Sequence, residues 1–245
     1  MMGFSIIFPI FPEILNHYNS LGKDFILQVF IRVAHFISPS NDFAVITVLL
    51  GGISGSIYSF LQFIFAPLWG KISDSVGRKP ILIFTSFGNL LGYVIWLLSG
   101  SFSTFVLSRL ITGAMGGNIS VASASMADST TSAERAKGMG IIGAGIGLGF
   151  IFGPPIGGLL SKYNFPDIHL SLTVFPFSAL FAISIALLNL IFVIFLFDET
   201  YQKGTQTKKK FHPFLEIAGL SNQKILSTSI IYFLFMFSFS GFEFV

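Results

Sequence analysis

The sequence contains no cysteine, which at once removes disulfide scaffolds, thiolate metal sites and cysteine nucleophiles. Charge is scarce as well, since Asp, Glu, Lys and Arg together make up only 10% of the residues. The net charge of +3 is small, and with no basic face on a water-exposed module a nucleic-acid partner is not expected. The opening residues lack a basic stretch and a small-residue cleavage site, so a cleaved secretory leader is not expected either. What is abundant is apolar: 53% of residues are hydrophobic and the mean hydropathy is +0.80, which is the composition of a polytopic membrane protein. The 31 phenylalanines suit lipid as well as an aromatic pocket and carry no specificity.

A membrane crossing needs roughly 20 apolar residues at about 1.5 Å each. That rule places spans near 3–16, 44–68, 81–98, 102–127, 139–160, 170–197 and 225–245. The first is short and the last runs off the end, so both termini are expected to be incomplete. The second, fourth and sixth connections hold Lys71, Arg78, Lys79, Arg135, Lys137, Lys203, Lys208, Lys209, Lys210 and Lys224, against Lys23, Arg32 and Lys162 in the first, third and fifth. This bias places the even connections and the N-terminus in the cytoplasm. The lysine run in the sixth connection could also bind anionic lipid, but orientation alone accounts for it.

Several features need their own reasons. Pro9 and Pro12 interrupt the first span, which neighbouring helices can accommodate. Glu13 lies near its outer end, where a carboxylate either serves a cavity or is simply solvated at the interface. In the first connection Phe25, Ile26, Val29, Phe30, Val33, Phe36 and Ile37 oppose Asp24, Gln28, Arg32 and His35. That pattern fits a helix lying in the outer interface or one packed on the span ends, and a lone His35 on its polar face needs no special role. In the fourth span Arg109, Thr112, Gly113, Gly116, Ser120 and Ser123 share a polar or small face, which lines either a cavity or a helix contact. Arg109 itself faces a cavity or snorkels to the interface. The fifth span, GIIGAGIGLGFIFGPPIGG, would be a poor helix in water because each interior Gly costs about 1 kcal/mol. In lipid it is forced helical, and Gly145, Gly149, Gly153 and Gly157 form a groove for a neighbouring helix, with Pro154 and Pro155 bending its far end. Gly138, Gly140 and Gly143 spell a dinucleotide fingerprint, but no strand precedes it and a charged turn does, so the match is fortuitous. His212 and Glu216 stand at helical spacing without a third ligand, so no metal is expected. No nucleophile–base pair is visible in the spans, so an enzyme is not expected.

Two motifs carry a resemblance. Gly70, Asp74, Gly77, Arg78 and Lys79 resemble the signature between the second and third helices of the major facilitator superfamily. Independently of that, Gly77 permits a tight turn, Pro80 suits a helix start, and Asp74 among three bases suggests an ion pair or a helix cap. The series Gly140, Gly149, Gly153, Pro154, Gly157 and Gly158 resembles the fifth-helix motif of drug–proton antiporters of that superfamily. RLITGAMGG around Arg109 is similar to its fourth-helix motif, with Thr112 where glutamine is usual. The resemblance implies that Asp74 caps a helix of a second half and that Arg78 pairs with Asp128, latching the cytoplasmic side. It also implies that Arg109 serves proton coupling; Thr112, Gly116, Ser120 and Ser123, from their shared face, and Glu13, from its depth, are the expected cavity residues beside it.

The expected fold is therefore all-α. A six-helix bundle over 1–197 is followed by a cytoplasmic linker over 198–224 and a partial seventh helix over 225–245, which carries Glu243 where, if more chain followed, the resemblance would place a cavity residue. The implied function is proton-coupled export of small amphipathic molecules or drugs by alternating access, in the manner of tetracycline-resistance transporters, in the inner (plasma) membrane. The partners implied are substrate, protons, the bilayer and a missing C-terminal half; no cofactor is implied. The rival is a transport-inactive half associating with another membrane protein through its glycine groove.

Overall fold

The computed structural model describes residues 2–22, 24–38, 43–163 and 173–201, with 227 and 231 alone beyond them. The linker from 202, the seventh span apart from those two residues, and with them His212, Glu216 and Glu243, lie outside the described residues. The described chain is helical: α1 (Met2–Ser5), a short 3-10 turn (Phe8–Ile10), α2 (Phe11–Ser20), α3 (Phe25–Ile37), α4 (Phe43–Val76), α5 (Arg78–Leu97), α6 (Phe102–Gly116), α7 (Ile119–Asp128), α8 (Arg135–Leu160) and α9 (Pro176–Phe195). Among the described residues five segments are long and apolar enough to cross a membrane, one of them Phe102–Asp128, which joins α6 and α7.

The first span is not one helix. Its break into α1, the 3-10 turn and α2 falls at Pro9 and Pro12, each of which removes a backbone donor. Its inner face, Ile6, Ile10, Ile14 and Tyr18, is buried against Trp96, Phe102 and Phe105. The Tyr18 hydroxyl donates to the Ser99 carbonyl at 2.6 Å, which satisfies that polar group, while the Trp96 indole N–H is buried with no hydrogen-bond partner among the described residues.

The turn expected between the second and third spans is a single residue. α4 runs 34 residues to Val76, about 50 Å at 1.5 Å per residue, longer than the ~30 Å hydrocarbon core. Its last turns, with Lys71 and Asp74, thus extend past the apolar zone, and α5 begins immediately after Gly77. Gly77 has φ +114°, in the left-handed region that a side chain disfavours.

The fourth span breaks between α6 and α7. Carbonyls near the break are taken up by α4: Trp69 Nε1 donates to Ala114 at 2.8 Å and Gln62 Nε2 to Gly116 at 3.1 Å. Ser120 Oγ returns a bond to the Ala66 carbonyl at 2.6 Å. These bonds let a membrane helix change direction without exposing backbone to lipid.

The sixth span, α9, turns one side outward and packs the other. One side of α9 is exposed at Leu187, Leu188, Phe192 and Phe195, but Ser178, Ala179, Ala182 and Ala186 are buried. Asn189 Nδ2 donates to Ser86 Oγ of α5 at 3.1 Å. Small side chains at helical spacing let the two helices approach closely.

Candidate functional site

Two groups of residues are assembled in the bundle, one at the end where α4 meets α5 and one at the level of Arg109. At the first, Arg78 is only 4% exposed. Its Nη1 lies 2.6 Å from Asp74 Oδ1 and its Nε 3.0 Å from Asp128 Oδ2. Nη1 also donates to Ser73 Oγ at 2.6 Å, and Ser73 in turn donates to the Gly70 carbonyl at 2.7 Å. A planar guanidinium with several donors suits this arrangement, in which carboxylates from two helices share one cation. Asp74 is thus an ion-pair partner of Arg78 within the described residues.

A third acid completes this end, and sequence reasoning missed it. Glu199 accepts from the backbone N–H of Arg78 at 2.9 Å and of Lys79 at 3.1 Å, capping the start of α5. Its carboxyl is held below the ordinary glutamate value. Burial works the other way, but the backbone donors of Tyr201, Arg78, Lys79 and Thr200 outweigh it. The Tyr201 ring lies 5.9 Å from the Arg78 guanidinium. A Cβ at Gly77 would sit 2.6 Å from Glu199 Oε2, so glycine is required there for contact as well as for φ. The signal available in the sequence was the acid pair Asp198–Glu199 at the end of an apolar span, which the lysine run beside it obscured.

At the second group Arg109 is 5% exposed, held by α6 between α4 and α5. Its guanidinium lies 5.2 Å from the Trp96 ring, 5.4 Å from Phe105 and 5.9 Å from Tyr93. Nε donates to Ser108 Oγ at 3.2 Å. Nη1 and Nη2 are buried with no hydrogen-bond partner among the described residues. Cation–π contacts contribute about 0.5–2 kcal/mol each, whereas an unpaired buried ion costs several. The rings therefore lessen this cost without neutralising the charge. The Arg109 guanidinium is turned into the bundle, with its terminal nitrogens buried, rather than out along the surface.

The polar face of the fourth span resolves mainly into helix contact. A Cβ at Gly113 would lie 3.0 Å from the Tyr58 carbonyl oxygen and one at Gly116 2.7 Å from the Tyr58 hydroxyl, while Ser120 bonds α4. Thr112 spends its hydroxyl on its own helix, donating to the Ser108 carbonyl at 2.9 Å, and its methyl meets Gly92 of α5. Ser123 is half-buried and Glu13 is exposed in the first turn of α2; neither lines the cavity described next. A cavity of about 820 Å³ lies among α1, α4, α5, α7, α8 and α9, bordered by Tyr58, Asn89, Tyr93, Asn118, Gly145 and Asn189 and also by Gly116, which of the expected cavity residues is the one in its described lining. No Asp, Glu, Lys, Arg or His is among its described lining residues. Tyr93 touches both sites, facing the cavity and lying over Arg109.

The glycine groove of α8 is occupied along half its length by the first span. Ser5 Oγ donates to the Gly149 carbonyl at 2.9 Å. A Cβ at Gly153 would collide with Ser5, and one at Gly157 would collide with the Ile6 backbone. Gly140, Gly145 and Gly158 meet nothing within 4 Å, and α8 continues as helix through Pro154 and Pro155.

The model of the Major Facilitator Superfamily matches residues 1–245. The chain belongs to the major facilitator superfamily. Within the superfamily it is 33% identical to major facilitator superfamily domain-containing protein 10 of Bos taurus over 220 residues, covering 81% of this chain and 45% of that protein. It is also 33% identical to the class B tetracycline resistance protein of Escherichia coli, covering 81% of this chain and 41% of the relative. The crystal structure of the human organic anion transporter MFSD10 (TETRAN) superposes with a TM-score of 0.72 at 30% identity, over 81% of this chain and 44% of that one. The chain thus spans less than half the length of the superfamily relatives it matches, and its apolar helices make it a membrane protein.

Proposed function

We propose that this chain forms the first half of a proton-coupled exporter of small amphipathic molecules, working by alternating access with the Arg78 end facing the cytoplasm of the inner (plasma) membrane. One observation carries the reading: a buried guanidinium whose two terminal nitrogens have no hydrogen-bond partner among the described residues. Such a charge is stable only if an anion reaches it for part of the cycle, and an acid or substrate that exchanges with it makes the cycle sensitive to protons. The resemblance to tetracycline resistance proteins supports export. The uncharged cavity, with apolar walls and three carboxamides, suits a molecule having a polar edge and an apolar body.

The Arg78–Asp74–Asp128 group supports a latch at the cytoplasmic end. Its carboxylates come from α4 and α7, so separating those helices breaks a charge pair at each opening. Capping of a second-half helix by Asp74 would be an additional contact, made when the two halves close.

The test uses everted vesicles carrying this chain together with a complementing second half of a superfamily transporter. Adding substrate should release protons, and Arg109→Ala should abolish the release while the protein remains in the membrane. Unaltered substrate-induced proton release in Arg109→Ala would refute the role of Arg109.

A further inference from the structure

α3 has two apolar faces, and only one of them is used inside the bundle. Leu27, Phe30 and Ala34 are buried, with the Phe30 ring edge-on to Phe102 at 5.5 Å. On the outside, Phe25 (77% exposed), Val29, Val33, Phe36 (90%) and Ile37 form a second stripe. At 3.6 residues per turn those five side chains fall within about 120° of arc. Arg32 and Gln28, both exposed, flank the stripe.

The depth of this helix is set by one carboxylate. Asp24 Oδ1 accepts from Leu27 N at 3.1 Å, capping α3. The same side chain accepts from Ser103 N at 2.9 Å and from Ser103 Oγ at 2.7 Å, in the first turn of α6. α6 begins Phe102–Asp128, a segment long and apolar enough to cross a membrane, so α3 starts level with one end of that segment. An exposed stripe of Phe, Val and Ile at that depth meets acyl chains, and a guanidinium at its border meets headgroup phosphates.

We infer that the outer stripe of α3 is a lipid-binding face, embedded at the headgroup–acyl boundary of the leaflet opposite the Arg78 end, with Arg32 on the phosphates. Asp24 fastens this anchor to α6, so the mouth of the bundle is tied to the membrane surface through the span that carries Arg109.

The absence of cysteine permits a direct test by single-site spin labelling. Labels are placed at Phe25→Cys, Val29→Cys and Phe36→Cys on the stripe, at Gln28→Cys on its polar flank and at Leu27→Cys on the packed face. The full chain is reconstituted in phosphatidylethanolamine–phosphatidylglycerol vesicles. The inference predicts that labels at 25, 29 and 36 collide with oxygen and lose collisions with a water-soluble nickel chelate, while the label at 28 gains them. Nickel accessibility at all three stripe positions would overturn it by showing a water-exposed face. Immobilised labels inaccessible to both reagents would also overturn it, because a second copy of the chain or another protein segment would then cover the stripe. Phe25, Val29 and Phe36 are exposed, so labels there test the inference even if Leu27→Cys fails to fold.

Discussion

Gly157→Ala and Gly143→Ala are the same substitution in the same helix, yet the structure assigns them different outcomes. At Gly157 the added methyl would run into the Ile6 carbonyl oxygen and lie 3.0 Å from its carbon, whereas at Gly143 it meets nothing within 4 Å. The obstacle at Gly157 is backbone, which cannot rotate aside, so α1 must move away from α8. Overpacking of this kind costs about 1–3 kcal/mol. The gain in helix propensity, up to about 1 kcal/mol, is common to both sites and cancels in the comparison. Gly157→Ala should therefore be less stable than Gly143→Ala by about 1–3 kcal/mol, or roughly 2–12 °C in melting midpoint for a chain of this size. The assay is thermal unfolding in detergent micelles, followed by intrinsic fluorescence and by loss of the monodisperse peak. Equal midpoints, or a lower one for Gly143→Ala, would refute the claim that the glycine groove is the seat of the first span.

Three further outcomes follow from the ends of the helices. Glu199→Gln should lower stability by about 1 kcal/mol through loss of a charged cap. Because the Glu199 carboxyl is depressed in the folded state, its contribution is full above the ordinary glutamate range and disappears as pH falls through the folded value. The acid limb of a pH–stability curve should flatten in the variant, and unchanged acid sensitivity would contradict the cap. Asp24→Asn should act likewise at the opposite end. Burial raises that carboxyl, but the Ser103 hydroxyl and the backbone donors of Ser103, Leu27 and Ile26 outweigh it and leave it lowered. Hydrogen exchange should accelerate in the first turns of α3 and α6 together, and acceleration in only one would show that the carboxylate does not bridge them. Arg78→Lys should be nearly as destabilising as Arg78→Ala, since one ammonium cannot replace a fork that reaches Asp74, Asp128 and Ser73. Full rescue of the melting midpoint by lysine would refute that geometry.

The membrane class, the helical spans and the small-residue contact faces were legible because lipid leaves the backbone few choices, and a long apolar run can only be a helix. The cluster of Gly70, Asp74, Gly77 and Arg78 was legible because an acid among bases is not explained by orientation. Other features were hidden for physical reasons. Glu199 acts across 121 residues of sequence on the Arg78 backbone, and no local pattern records a cap supplied from so far away. α3 reads as amphipathic in both of its possible settings, and only the positions of Leu27, Phe30 and Ala34 separate its packed face from its outer one. The break between α6 and α7 depends on Trp69 and Gln62 of another helix taking carbonyls near it, a long-range compensation invisible in RLITGAMGG itself. The polar face around Thr112 left cavity and contact open, and the contact with Tyr58 and Ala66 is decided by how closely α4 approaches.

The central proposal, that Arg109 links substrate movement to protons, is tested most directly by separating two transport modes in the same vesicles. With Arg109→Ala, exchange of labelled for unlabelled substrate at uniform pH should persist, because the cavity and the helix contacts are intact, while accumulation driven by an imposed pH gradient should vanish. Gradient-driven accumulation equal to that of the unaltered chain would contradict the account.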